Sequence, residues 1–130
     1  MKYLLDTSVF LWSIGSYERL NKAGQDILEN SSELFLSAAS SWEIAIKASI
    51  KKLPLPEPAR RYVHRMLLAT GIHSLPITHA HALAVADLPF HNTDPFDRLL
   101  VAQAQSEQMV LLTADYNIVK YDVETLWCGK

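Results

Sequence analysis

The sequence predicts an α/β domain, a mostly parallel sheet of four to five strands covered by helices on both faces. Three observations predict it. Short apolar runs alternate with longer stretches of helical periodicity, the pattern of strand-helix-strand units. The runs are continuously apolar rather than alternating, as strands buried on both faces should be. The composition, 49% apolar and 20% charged over 130 residues, supplies a core for one domain of ordinary size covering residues 1–130.

Each element follows from local signals. Tyr3–Leu5 (YLL) reads as the first strand, and a short helical pattern follows near 8–13. A second helix is expected over about 20–30, and Leu34–Ser37 (LFLS) is the second strand. Ser40 and Ser41, ahead of Trp42 and Glu43, mark the start of a helix over about 39–50. Three prolines in KLPLPEP make Lys52–Pro58 a loop. A helix over about 57–70 has Pro58 in its first turn and Gly71 at its end, where a capping glycine belongs. His73–Leu75 is the third strand, and Thr78 opens a helix over 79–87. Asp94-Pro95 is an N-cap with proline at the first helical position, starting a helix over 95–107. Met109–Thr113 and Val123–Trp127 complete the sheet.

Several function classes drop out. No apolar run approaches the roughly 20 residues of a membrane-spanning helix. The opening MKYLLDTSVFLW is interrupted by Asp6 and lacks a small-residue cleavage pattern, so no secretory leader is expected. Cys128 is the only cysteine, which excludes an internal disulfide and fits a cytoplasmic protein. The four glycines are scattered, so no phosphate-cradling glycine loop exists. The five histidines lack zinc-site spacing. Net charge is −2, yet half of the 12 basic residues lie between Lys47 and Arg65. That stretch is either a solvated face or a track for RNA or an acidic partner. Trp12 and Trp42 sit in apolar helical patterns, which favours core or partner packing over base stacking.

The chemistry is carried by acids. In a parallel sheet ligands sit beyond the carboxyl ends of the strands. Asp6 ends the first strand and Asp115 follows the fourth; Glu43 lies early in the helix after the second strand, and Asp97 in the first turn of the helix before the fourth. All four are expected at one sheet edge. Each also has a plain structural role open to it. Asp6 suits a helix N-cap, Glu43 an ion pair with Lys47, and Asp115 an ordinary turn. Asp97 is harder to place, because its helix is almost entirely apolar around it (Phe96, Leu99, Leu100, Val101). Asp94 suits a cap better than a ligand. Clustered carboxylates repel and raise one another's pKa, and a hard cation such as magnesium or manganese relieves this. Such an ion polarises a phosphoryl oxygen and activates water for in-line attack. Thr7, Ser8 and Thr113 could hold a carboxylate or water behind the ligands. Arg98 and His91 flank the acids; Arg98 suits either a phosphate or a neighbouring carboxylate.

At this point the chain resembles PIN-domain ribonucleases, and among them the VapC-like toxins of bacterial toxin–antitoxin modules. The resemblance runs through LLDTSVFLW, SAASSWEIAIKASIKKLPLP, LPITHAHALAVADLPFHNTDPFDRLLVAQA and LLTADYNIVKYDV, nearly the whole chain. DPFDRLLVAQA is its most specific block. It implies a three-layer α/β/α PIN-like fold and places the family's acids on Asp6, Glu43, Asp97 and Asp115. Asp94 matches an additional acid of this subgroup, either ligand or cap. Ser8 stands where relatives often carry histidine or asparagine. The resemblance further implies Mg2+- or Mn2+-dependent RNA cleavage giving 5′-phosphate and 3′-hydroxyl ends, homodimerisation, and inhibition by a VapB-like antitoxin.

Other readings are weaker. An aspartyl phosphatase needs a second aspartate where Ser8 stands, and a receiver domain needs a lysine directly after the fourth strand. An inactive PIN-like scaffold for RNA or antitoxin predicts a missing acid, and none of the four is missing. A PIN nuclease of RNA processing, without a toxin role, shares the same site.

Overall fold

The apolar runs pair into one sheet that is parallel throughout. In the computed structural model, which describes residues 1–130, β1 (Tyr3–Leu5), β2 (Leu34–Ser37), β3 (His73–Leu75), β4 (Val110–Thr113) and β5 (Thr125–Trp127) lie in the order β3-β2-β1-β4-β5. Leu5 is in register with Leu36 of β2 and with Leu112 of β4. The next residues, Asp6, Ser37 and Thr113, therefore leave three adjacent strands side by side at the carboxyl edge. The chain winds one way from β1 to β2 and β3, then returns to the far side of β1 for β4 and β5. The crevice between β1 and β4 is thus the point where the winding reverses, the usual ligand position in such sheets.

Seven α-helices flank the sheet: α1 (Thr7–Gly15), α2 (Lys22–Asn30), α3 (Ala38–Ser49), α4 (Ala59–Thr70), α5 (His79–Ala84), α6 (Pro95–Glu107) and α7 (Tyr116–Val119). Period-two alternation along the strands divides the core in two. Leu4, Leu75 and Leu111 pack with Leu100, Val101 and Ala104 of α6 on one face. Leu5, Leu36, Val110 and Leu112 pack with Val9 and Phe10 of α1 and Val63 of α4 on the other. Two cores on two faces of one sheet make the three layers. No helix is long and apolar enough to cross a membrane.

The caps differ from expectation in places. α3 starts at Ala38, capped by Ser37, whose hydroxyl accepts from the N–H of Ala39 (2.9 Å), so Ser40 and Ser41 lie inside the helix. Ser37 is the last residue of β2, and the strand turns into the helix with no loop between. Pro58 is the N-cap residue of α4 rather than part of its first turn, and has no side chain with which to cap. Thr78 and His81 form a reciprocal capping box on α5. Gly71 ends α4 at φ 73°, the left-handed conformation glycine adopts without a Cβ clash. The 79–87 segment divides into α5 and a 3-10 turn, Val85–Asp87, and the last strand is shorter than the apolar run that suggested it. α7 is an addition, opened by Asp115.

Candidate active site

Asp6 follows β1 directly and caps α1. One carboxylate oxygen accepts from the N–H of Val9 at 2.7 Å, the other from the Thr113 hydroxyl at 2.6 Å. The side chain is 4% exposed. Burial raises its pKa to about 6, against the lowering by the Thr113 hydroxyl and the N–H groups of Val9 and Ala114; the Asp115 charge raises it a little further. Thr113 also accepts the N–H of Asp115 (3.0 Å), so a single hydroxyl ties the end of β1 to the loop after β4. Asp115 in turn caps α7 through the N–H of Asn117 at 2.8 Å.

Glu43 reaches the same edge from the second turn of α3. It is buried, and both its oxygens are held. Thr7 donates to Oε1 at 2.7 Å and Lys47 to Oε2 at 2.7 Å. The Thr7 hydroxyl also lies 2.9 Å from that of Ser40, which helps fix α1 against α3. The Glu43 hydrogen bond, and behind it the charges of Glu43, Asp94 and Asp97, keep the Lys47 pKa above its ordinary value. Lys47 therefore lies within reach of the cluster's negative charges. Asp6 caps a helix and Glu43 pairs with Lys47 as their plain roles allowed, whereas Asp115, read as a turn residue, is the N-cap of α7.

Asp97 enters from the first turn of α6, half-buried. Its pKa is pushed up to about 7, by burial first and then by the negative charges of Asp94, Asp115, Asp6 and Glu43. The charges of Asp94, three residues upstream, and of Asp115, Asp6 and Glu43 from other segments all reach Asp97, so these acids lie along one edge of the fold. Asp94 caps α6, accepting from the N–H groups of Phe96 (2.9 Å) and Asp97 (3.0 Å). The carboxylates do not close on one point as they stand, since no three acidic, histidine or cysteine side chains are grouped tightly enough to ligate an ion. The donor set nevertheless fits a hard divalent cation in chemistry and charge. It offers carboxylate oxygens alone, those of Asp6 and Asp97 on desolvated and repelled side chains, with Lys47 held on Glu43.

Thr7 and Thr113 support the acids as expected, whereas Ser8 faces solvent on α1. Arg98 pairs with no carboxylate. It is 5% exposed, and its guanidinium donates to the carbonyls of Pro89, Val85 and Leu88 and to the Tyr121 hydroxyl. The apolar face of α6 drags it inward, and loop carbonyls satisfy it there. Trp42 is not core; it is 58% exposed with its ring edge-on to Phe96. His81 is buried on Glu107 (2.8 Å) and belongs to no metal cluster. Asn92 was not foreseen: its amide donates to Asp97 at 3.1 Å, a contact across a loop with no sequence signature.

Comparison with known proteins agrees with the fold. The family described as PIN domain matches residues 3–124. Ribonuclease VapC22 of Mycobacterium tuberculosis is 31% identical over 113 residues, 86% of this chain and 85% of the relative. Ribonuclease VapC16 of the same organism is 38% identical over 64 residues, 49% of this chain and only 45% of the relative's length. Among solved structures, VapBC2 from Rickettsia felis, bound to a DNA fragment from its promoter, superposes with a TM-score of 0.75. That match covers 99% of this chain and all of the other at 14% identity, a likeness of fold alone.

Proposed function

The chain belongs to the PIN-domain family, and from that premise we propose that it is a metal-dependent endoribonuclease, the toxin of a VapBC-type pair. What supports this reading is that Asp6, Glu43, Asp97 and Asp115 lie at the carboxyl edge of the sheet, near enough that the charges of Asp6, Glu43 and Asp115 act on Asp97. The ribonuclease names of its relatives support the substrate class, and the VapBC complex of like fold supports a protein partner. On this reading a VapB-like antitoxin restrains the toxin, which pairs with a second copy of itself.

Asp6, Glu43, Asp97 and Asp115 would hold Mg2+ or Mn2+, with Asp94 a cap that also adds negative charge. When bound, the cation would polarise a phosphoryl oxygen and increase the acidity of the attacking water. The chain's own residues prepare the site. Thr113 and the N–H of Val9 fix Asp6, and Thr7 fixes Glu43. Lys47 offsets part of the charge until a cation takes that role. In the hydrolysis, water oxygen bonds to phosphorus and the bond to the 3′ oxygen breaks. The 3′ oxygen leaves with a proton, giving 5′-phosphate and 3′-hydroxyl ends.

The test is RNA cleavage mapping with added Mn2+. Wild type is expected to cleave, and chelator to stop it. Asp97→Asn and Asp6→Asn are expected to be at least ~100-fold slower while remaining folded by circular dichroism. Cleavage by either variant at the wild-type rate would sink the site assignment, and activity that survives chelation would sink the metal. Expression in a bacterial host is expected to arrest growth for wild type and not for Asp97→Asn; continued growth on wild-type expression would remove the toxin role while leaving the nuclease.

A further inference from the structure

Arg98, Tyr121 and Asn92 come from three separate segments and form one hydrogen-bonded chain that ends on Asp97. The Arg98 guanidinium is fixed first, with Nη1 donating to the Pro89 carbonyl at 2.8 Å and the Phe90 ring lying 4.1 Å over it. Nη1 also donates to the hydroxyl of Tyr121, a side chain 3% exposed, at 3.1 Å. A guanidinium only donates, so the tyrosine oxygen must be the acceptor and its own proton must go elsewhere. It goes to Asn92 Oδ1, 2.6 Å away, and the N–H of Asn92 returns a bond to the same hydroxyl at 3.3 Å. Amide oxygen and nitrogen are assigned from their network, and here the network decides. With Oδ1 taken by Tyr121, Nδ2 must face Asp97, to whose Oδ2 it donates at 3.1 Å.

We propose that Asn92 is a positioning residue for Asp97, its amide oriented by the Tyr121 hydroxyl on the buried Arg98 guanidinium. This rests on the reading of the acidic cluster as a divalent-metal site. Asp97 needs such a partner more than the other acids do. Asp6 is held by Thr113 and Val9, and Glu43 by Thr7 and Lys47, whereas Asn92 is the only side chain that donates to Asp97. A neutral donor also suits the task. It fixes one oxygen and leaves Oδ1 free, without adding a positive charge to compete with a cation. Hydrogen-bond partners behind ligating groups typically carry about 10- to 100-fold in metal affinity.

The experiment is Mn2+ binding to the RNA-free protein, followed by electron paramagnetic resonance and compared with thermal unfolding. Asn92→Ala is expected to weaken Mn2+ binding about 10-fold while still unfolding in one cooperative transition, at a lower temperature because the buried Tyr121 hydroxyl loses its acceptor. Tyr121→Phe, which deletes only the hydroxyl, is expected to weaken it in the same direction. The double variant is expected to be no weaker than Asn92→Ala alone, because both changes break one chain. Asp97→Asn is the control. If it loses Mn2+ binding while Asn92→Ala binds normally, Asn92 does not position the carboxylate and the proposal fails. Loss by Asn92→Ala that Tyr121→Phe does not share overturns the relay. If Asp97→Asn itself binds Mn2+ like wild type, the metal reading of the cluster falls, and this assignment falls with it.

Discussion

Thr113 shows how much one hydroxyl can fix. It donates to Asp6 and accepts from the N–H of Asp115, joining two acids whose charges repel. Its bond to Asp6 favours the ionised carboxylate and works against burial. Thr113→Val keeps the shape and removes both contacts. The Asp6 pKa is then expected to rise above about 6, read by carboxyl carbon chemical shifts across a pH titration. The same change is expected to cost about 1–3 kcal/mol of stability, since Asp6 is left buried with one fewer partner. An Asp6 pKa that stays put or falls would show that Thr113 does not stabilise the charge. Residue-scale reading from sequence was uneven. Asp97 stood out because a carboxylate on an apolar helix needs a reason. Arg98, on the same helix, was open to either a phosphate or a neighbouring carboxylate, yet its guanidinium is held by backbone carbonyls and the Tyr121 hydroxyl, which no sequence pattern displays.

At the scale of elements, the helix starts place the acids. Asp6 and Asp115 are themselves caps, and Asp94 caps the helix that presents Asp97. Because each cap sits beyond a strand or loop at one edge, capping and clustering are the same act. The α4 terminus offers a test remote from this edge. Gly71 at φ 73° has nothing within 4 Å of where a Cβ would stand, so Gly71→Ala introduces backbone strain without a clash. The expected loss is about 1 kcal/mol in urea unfolding, with RNA cleavage unchanged. A neutral or stabilising result would mean that α4 ends elsewhere in solution. Strands and long helices were legible because apolar runs and caps are local signals. α7 was not, because four residues leave too little periodicity, and Ser37 was passed over as a cap because it also finishes β2.

For the whole molecule the acidic edge is a stability cost that a cation should relieve. Asp6 and Asp97 have folded pKa values of about 6 and about 7, above the ordinary 3.8. The unfolded chain releases these protons near pH 4, while the folded protein holds them up to about pH 6–7. Folding therefore takes up protons, and the stability from these groups is full below about pH 4 and lost as pH rises through 6 to 7. Metal-free protein is expected to be more stable at pH 5 than at pH 8 through these two groups. The difference is on the order of 2 kcal/mol, after allowing for the solvent that still screens Asp97. Mn2+ is expected to raise the melting temperature more at pH 8, where the carboxylates are ionised, than at pH 5. An equal rise at both pH values would place the ion away from these acids.

The sequence by itself determined the alternation of strands and helices, the burial of the strands on two faces, and the four acids at helix starts and strand ends. Those follow from periodicity, turn chemistry and capping, which act over a few residues. Tertiary structure alone decided which acids are desolvated, that Lys47 is held among their charges, and that Asn92 is turned toward Asp97 by Tyr121 and Arg98. Burial, charge coupling and hydrogen-bond direction depend on distances between segments that lie far apart in the chain. A pattern read along the chain identified the acids, and only packing set how each of them is held.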